Sequence, residues 1–270
     1  MTDRYGVIGH PIAHSRSPII HMLFARQTGE DISYEAFDIP PEALERELRR
    51  LVKEGLLGFN VTVPHKQAVA EMADSLVGQA KRARAVNTVT VTTDGSLVGD
   101  NTDGIGLVRD LRANLDIRLE DQLILVLGAG GATRGITPAL LEAGPAQLTI
   151  ANRRPERAEA LAEEFASLGP VQACAFDDLP RQPFDLVINA TSAGLHGETP
   201  PFPGSIIGPE TVCYDLSYAM TETPFLAWAR EHDCRHAHQG WGMLVEQAAE
   251  SFLIWRGRRP ETAPVLKQLR

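Results

Sequence analysis

The chain has 270 residues, 43% of them apolar and 23% charged, with a formal net charge of −9. That length allows one large or two ordinary domains with an ample core. The acidic balance argues against nucleic acid or an anionic membrane as partner, and no stretch reaches the ~18 consecutive apolar residues of a spanning helix.

The opening Met1-Thr2-Asp3-Arg4-Tyr5 has no basic segment followed by an apolar run, so no export signal is expected. Three cysteines (Cys174, Cys213 and Cys234) form no C-x-x-C. They read as reduced thiols of a cytoplasmic protein. Cys234-Arg235-His236-Ala237-His238 has ligand types close together but no second cluster, so a solvated loop is expected there and no metal.

In chain order, Arg4–Gly9 is a short strand closed by glycine. The loop His10–Pro18 follows, and Ser17-Pro18 predicts a helix start with Ser17 as N-cap and the helix running to Thr28 before Gly29. Ser15 and Ser17, with His10 and His14, thus lie beside a helix N-terminus, which favours an anion such as a carboxylate. Ile32–Asp38 reads as a strand and Pro41–Glu54 as an amphipathic helix, with Leu44, Leu48, Leu51 and Val52 on one face and a Glu45–Arg49 pair on the other. Phe59–Val63 is a third strand, ended by Pro64, which releases His65 and Lys66 at its C-terminal rim. Taken alone, this segment fits an edge strand followed by a solvated lysine, with Asn60 and Thr62 sharing its polar face. The order strand, helix, strand, helix, strand implies a parallel sheet.

A hairpin is expected from Ala85 to Val98, turning at Thr93–Ser96. Thr102 is a candidate N-cap for a helix reaching Asn114, with Asp103 in its first turn. The apolar strand Gln122–Leu127 then runs into Gly128-Ala129-Gly130-Gly131-Ala132 and a helix to Glu142. This is the strand, turn and helix of a dinucleotide site, with Thr133 where a third glycine is usual. The next strand, Gln147–Ala151, ends in Asn152-Arg153-Arg154-Pro155-Glu156-Arg157. Arginines stand where NAD would want an acid, so a 2′-phosphate and hence NADP is favoured. Strands follow at Val171–Ala175, Leu186–Asn189 and Val212–Leu216. Asn189-Ala190-Thr191-Ser192 is the polar end of the second. Thr199–Pro203 reads as a surface loop, Thr223-Pro224 as a helix start, Met243–Trp255 as a packed helix and Arg256–Pro260 as a solvated tail.

Eight motifs in this order resemble the shikimate dehydrogenase family from end to end. They are Gly9–Pro18, Asn60–Lys66, Ala85–Thr88, Asp100–Gly104, Gly128–Ala132, Asn152-Arg153, Asn189–Ser192 and Gly242–Ala248. The resemblance implies an α/β fold in which an N-terminal domain with a mostly parallel sheet and a Rossmann-type domain flank a cleft. Residues 1–103 with 240–270 would bind substrate, and residues 104–239 would bind NADP. The implied reaction is NADP-dependent, reversible reduction of 3-dehydroshikimate to shikimate, towards chorismate and the aromatic amino acids. Lys66 and Asp103 match the family's catalytic pair. Ser15 and Ser17 match its carboxylate-binding serines, and Thr62, Asn87, Tyr218 and Gln247 its contacts to ring substituents. Cofactor contacts are implied at Gly128, Ala129, Gly130, Gly131, Ala132, Asn152, Arg153, Arg154, Arg157, Thr191, Ser192, Gly240 and Met243. Two positions depart from the usual pattern: Met22, where a polar residue is common, and Arg154, where a small hydroxyl residue is common. No partner beyond the small-molecule substrate is implied, and the chain is compatible with a monomer or a homodimer. The competing readings are a shikimate/quinate dehydrogenase of broader substrate or cofactor range, a catalytically silent ligand-sensing module on this fold, and a generic Rossmann binding protein.

Overall fold

Apolar strands alternating with amphipathic helices build two α/β units, Met1–Leu107 with Leu244–Arg270, and Val108–Met243. The computed structural model describes residues 2–191 and 202–269. In the first unit β1 (Asp3–Gly9), β2 (Ile32–Asp38) and β3 (Leu56–Val61) are parallel, with β1 in the middle. The links between them are α1 (Ser17–Thr28) and α2 (Leu44–Lys53). Buried Leu44, Leu48 and Leu51 seat α2, while Glu45 and Arg49 pair at 2.6 Å on its wet side. The chain continues through α3 (Lys66–Met72), β4 (Ser75–Leu76) and α4 (Ala80–Ala83) into the hairpin β5 (Thr88–Val91) and β6 (Leu97–Asp100). β5 pairs antiparallel with β3, giving the order β2-β1-β3-β5-β6-β4. α5 (Asp103–Arg109) follows and passes into a π turn at Asp110–Asn114.

The second unit is wholly parallel. It contains β7 (Leu123–Leu127), α6 (Gly131–Glu142), β8 (Gln147–Asn152), α7 (Pro155–Phe165) and β9 (Val171–Ala175). The chain then returns to the middle for β10 (Leu186–Asn189), followed by β11 (Val212–Asp215), α8 (Pro224–Glu231) and β12 (His236–Gln239). The order β12-β11-β10-β7-β8-β9 is that of a Rossmann fold, and its reversal between β7 and β10 makes the crevice where such sheets bind ligands. α9 (Trp241–Arg256) and α10 (Ala263–Leu269) complete the chain. Among the described residues no helix is long and apolar enough to cross a membrane.

Several expectations are corrected. Ser17 is the first residue of α1, and its N–H is accepted by Ser15 Oγ at 3.3 Å, so Ser15 supplies the oxygen expected of Ser17. The basic tail is held: Arg256 pairs with Asp3 at 2.5 Å and with Glu30, and Arg259 pairs with Glu246 at 2.6 Å and with Glu250. Beyond it, α10 buries Val265 and Leu266. Sequence around Cys234 forms β12 rather than a loop, because His236–Gln239 adds a parallel edge to β11. Of the Pro-rich stretch, residues 199–201 lie outside the described residues, while Phe202 is buried against Phe176 and Trp228. The third strand ends at Val61 rather than at Val63, so buried Asn60 lies within it and half-buried Thr62 just past it.

Candidate active site

In the first unit Lys66 opens α3 and Asp103 opens α5, and Lys66 Nζ donates to Asp103 Oδ2 at 2.5 Å. The side chains are only 13% and 6% exposed, so the lysine is far from the solvated residue its own segment would allow. Two backbone contacts fix it: Val86 N–H donates to Lys66 C=O at 2.9 Å, and the preceding His65 ring bonds Ile39 C=O at 2.6 Å. Asn101 Oδ1 accepts the Asp103 N–H at 3.0 Å, while Asn101 Nδ2 donates to Ala85 C=O. Thus the two turns that carry the pair are stitched to each other through the segment before β5.

Asn87 joins this pair to α9. Its Nδ2 donates to Asp103 Oδ1 at 2.9 Å and to Gln247 Oε1 at 3.2 Å. Gln247 reaches it because residue 106 has no side chain: a Cβ on Gly106 would sit 2.6 Å from Gln247 N, so only glycine lets α9 approach α5 here. The structure therefore brings Lys66, Asp103, Asn87 and Gln247 into one hydrogen-bonded group. Thr62 sits at the end of β3, donating its N–H to Ile8 C=O at 2.9 Å. Ser15 is half-buried in the β1–α1 loop and Ser17 is buried at the start of α1. Thr102, expected as an N-cap, turns its hydroxyl instead to Gln247 C=O at 3.0 Å. A carboxylate holding an ammonium out of water, with a second donor behind it, suits a lysine that meets developing negative charge and supplies a proton.

In the second unit Gly128 has φ 103°, the left-handed region open to glycine, and turns the chain sharply off β7. Thr133, where a third glycine is usual, donates its hydroxyl to Gly128 C=O at 2.8 Å and closes the loop. Among the described residues no side chain caps α6, and none beyond its chain neighbours lies within 4 Å of where a Gly130 Cβ would stand. Gly131 and Ala132 open the helix after Ala129, and a helix N-terminus without a side-chain cap is the arrangement that receives a phosphate. At the end of β8, Asn152 Nδ2 donates to Arg154 C=O at 2.9 Å, and Arg153, Arg154 and Arg157 are exposed. Thr191 donates its N–H and hydroxyl to Asn189 Oδ1 at 3.1 and 2.7 Å. Ser192 lies outside the described residues.

Asp215 supports this rim. Burial pushes its carboxyl up, and the Thr223 hydroxyl, the Ser217 N–H and the Asn189 amide pull it back. Gly240 donates its N–H to Ser217 C=O at 3.1 Å, Met243 donates its N–H to Tyr214 Oη at 3.2 Å, and Tyr218 packs on Trp241 with ring centroids 4.7 Å apart. Sequence reasoning singled out Thr133 only as a departure from glycine, and it missed Asp215 and Trp241. It also missed the buried hydroxyls around Asn87, because buried threonines and serines carry no pattern of their own.

Known proteins place this arrangement. A family model described as the shikimate dehydrogenase substrate binding domain matches residues 7–89. One described as shikimate / quinate 5-dehydrogenase matches residues 111–196, and one for the shikimate 5'-dehydrogenase C-terminal domain matches residues 240–270. A shikimate dehydrogenase (NADP(+)) of Methylococcus capsulatus is 55% identical over 99% of this chain and 96% of its own. The chain belongs to the shikimate dehydrogenase family. A second relative of that name, from Alkalilimnicola ehrlichii, is 53% identical over 100% of this chain and 99% of its own. A crystal structure of the Thermus thermophilus shikimate 5-dehydrogenase in complex with NADP(H) and shikimate superposes with a TM-score of 0.87 at 36% identity, covering 98% of both chains. Within the family frame, Lys66–Asp103 lies in the part matched by the substrate-binding model and just beyond it, and the Gly128 loop lies in the dehydrogenase part.

Proposed function

We propose that Lys66 and Asp103 are the catalytic pair of this enzyme. As a shikimate dehydrogenase, the protein is an NADP-dependent oxidoreductase that interconverts 3-dehydroshikimate and shikimate, a step towards chorismate and the aromatic amino acids. The observation that carries the assignment of the pair is the 2.5 Å Lys66–Asp103 contact, held out of water and backed by Asn87.

The residues present fit NADP. The uncapped N-terminus of α6 beneath open space at Gly130 suits the pyrophosphate, and the exposed Arg153, Arg154 and Arg157 suit a 2′-phosphate where an acid would repel it. We assign cofactor contacts to Gly128–Ala132, Asn152, these arginines, Thr191, Gly240 and Met243. Bound cofactor supplies the hydride that reduces the ketone carbon, and in its oxidised form takes it back. As that carbon is reduced its oxygen gathers negative charge, which the Lys66 ammonium meets and to which it hands a proton; in the reverse direction the neutral amine takes the proton up. Asp103 keeps the ammonium aimed, and Asn87 keeps Asp103 aimed. Ser15 and Ser17, beside the N-terminus of α1, are assigned to the substrate carboxylate, and Thr62, Asn87 and Gln247 to ring substituents. Tyr218, which lies in the second unit, is assigned with them on family resemblance alone. Apart from Tyr218, substrate binding is thus assigned to the first unit and cofactor binding to the second. Free thiols at Cys174, Cys213 and Cys234 support our placing the enzyme in the cytoplasm.

Oxidation of shikimate and of quinate, each with NADP+ and with NAD+, tests the reading. Shikimate with NADP+ should give much the largest kcat/KM. Comparable quinate oxidation with NAD+ would instead assign the chain to the broader shikimate/quinate dehydrogenases.

A further inference from the structure

Ser251 and Thr88 are completely buried and have no part in the chemistry above, yet both stand in a run of hydrogen bonds that ends on Asp103. The direction of each bond in that run follows from groups that have no choice. Thr102 N–H, which can only donate, lies 2.8 Å from one end of the Asn87 amide, so that end is the oxygen. The Asp103 carboxylate, 2.9 Å from the other end, requires the NH2 there. Thr88 Oγ1, 2.8 Å from Asn87 Oδ1, must therefore give its single proton to it. At the 2.7 Å contact between Ser251 Oγ and Thr88 Oγ1 the proton must then come from Ser251, this contact being shorter than the 3.1 Å one from the same hydroxyl to Gln247 C=O on its own helix. What remains for Ser251 is to accept, and Asn60 Nδ2 stands 2.9 Å away. That end of Asn60 is fixed as the NH2 by Asn87 C=O at 3.0 Å, and Asn60 Oδ1 accepts from Tyr34 Oη at 2.7 Å. Burial holds the Tyr34 phenol well above its usual value, with the nearby Ser17 hydroxyl working the other way, so Tyr34 keeps the proton it donates.

We infer that Ser251 and Thr88 are positioning residues for this reaction: they close a one-way hydrogen-bond chain, Tyr34 to Asn60 to Ser251 to Thr88 to Asn87, that presents the Asn87 NH2 to Asp103 and Gln247. A reversed Asn87 amide would set its carbonyl oxygen against the Asp103 carboxylate and Gln247 Oε1. It would also leave the hydroxyl of Thr88 and the N–H of Thr102 facing an NH2. Every donor in the chain works against that reversal, and buried polar runs of this kind reinforce one another. Ser251 is one turn beyond Gln247 on α9, so the same helix supplies a substrate-assigned residue and the hydroxyl that aligns its neighbour. The inference rests on the assignment of Lys66–Asp103 as the catalytic pair.

The test is a set of four variants, Thr88→Val, Thr88→Ser, Ser251→Ala and Asp103→Asn. For each, kcat and KM for shikimate are measured at saturating NADP+, and exchange of the Asn87 side-chain amide protons is followed by NMR in protein labelled at asparagine. Thr88→Val, nearly isosteric, and Ser251→Ala should lower kcat by about ten- to a hundredfold, the cost of small misplacement at a reacting pair. Both should also speed Asn87 amide exchange at least about tenfold. Thr88→Ser, which keeps the proton, should restore both readings to near those of the parent. If Thr88→Val and Ser251→Ala lower the melting temperature but leave kcat and the Asn87 amide unchanged, the two residues only pack and the inference falls. Should either fail to fold, fast exchange of the Asn87 amide in the parent enzyme would itself overturn it. Asp103→Asn separates the two readings: normal turnover in that variant would remove the catalytic pair, while the amide exchange still reports on the chain of donors.

Discussion

An ammonium and a carboxylate 2.5 Å apart, both nearly out of water, attract strongly but have also lost their hydration, so such a pair contributes little net stability. Its value lies in holding a charge ready where charge will develop. Lys66→Ala should therefore lower kcat by about two to four orders of magnitude while KM for shikimate moves by only a few-fold, since the group acts mainly in the transition state. A rise in KM alone would make Lys66 a binding residue. Arg154 is the other residue with a separable effect. It is exposed at the start of α7, where the helix dipole opposes a cation and a bound phosphate relieves it. Arg154→Ser should raise KM for NADP+ by about ten- to a hundredfold, as for a lost charge-assisted bond, and leave KM for NAD+ nearly as it was. Equal losses would place the arginine away from the 2′-phosphate.

Elements were legible in the sequence to the extent that their signals are local. Alternating valines, Pro64 and the Leu44–Val52 stripe gave β3 and α2, and the run from Leu123 into Gly128 gave β7 and α6. β12 was not legible, because His236-Ala237-His238-Gln239 has little strand character and is a strand only by pairing with β11. The tail was misread for a related reason: Arg256 and Arg259 look solvated until their acids, Glu30 and Glu246, are brought to them from elsewhere in the fold. Among the candidate site residues, Lys66, Asp103, Asn87 and Gln247 were reached through motif resemblance, whereas the hydroxyls that orient Asn87 required coordinates. The tail carries its own prediction. Glu246 is only 2% exposed and Arg259 25%, so removing the guanidinium takes one ion-pair contact from a buried carboxylate. Arg259→Ala should cost about 2 kcal/mol in urea unfolding, less than the 3–5 kcal/mol of a fully enclosed pair. A change below about 0.5 kcal/mol, typical of exposed pairs, would show the tail clamp to be idle.

The whole molecule carries a built-in acid sensitivity. His21 is enclosed by Tyr34, Phe24, Phe252 and Trp255, and among the described residues neither ring nitrogen is within hydrogen-bond geometry of a partner. Burial lowers its pKa from 6.5 to about 3, with the Asn60 side chain offsetting a small part. Between those values the unfolded chain binds a proton that the folded chain refuses, so stability falls as the pH drops. The loss begins near pH 6.5 and proceeds at about 1.4 kcal/mol per unit until about pH 3. Replacing the ring by one that cannot titrate, His21→Phe, should flatten this acid slope in denaturation curves taken from pH 7 to pH 4. Identical slopes for both proteins would locate the sensitivity elsewhere.

The first unit is also assembled from two separated stretches of chain, Met1–Leu107 and Leu244–Arg270. Asn60 and Ser251, which bond directly, are 191 residues apart in sequence. During synthesis, at roughly 5–20 residues per second, Lys66, Asn87 and Asp103 therefore emerge roughly seven seconds or more before Gln247 and Ser251. Through that interval Asn87, Thr88 and Asn60 lack the bonds that Gln247 and Ser251 will make to them. The site is thus finished long after its acid and base are made, and a nascent chain that stops short of α9 holds both Lys66 and Asp103 and should still be inert.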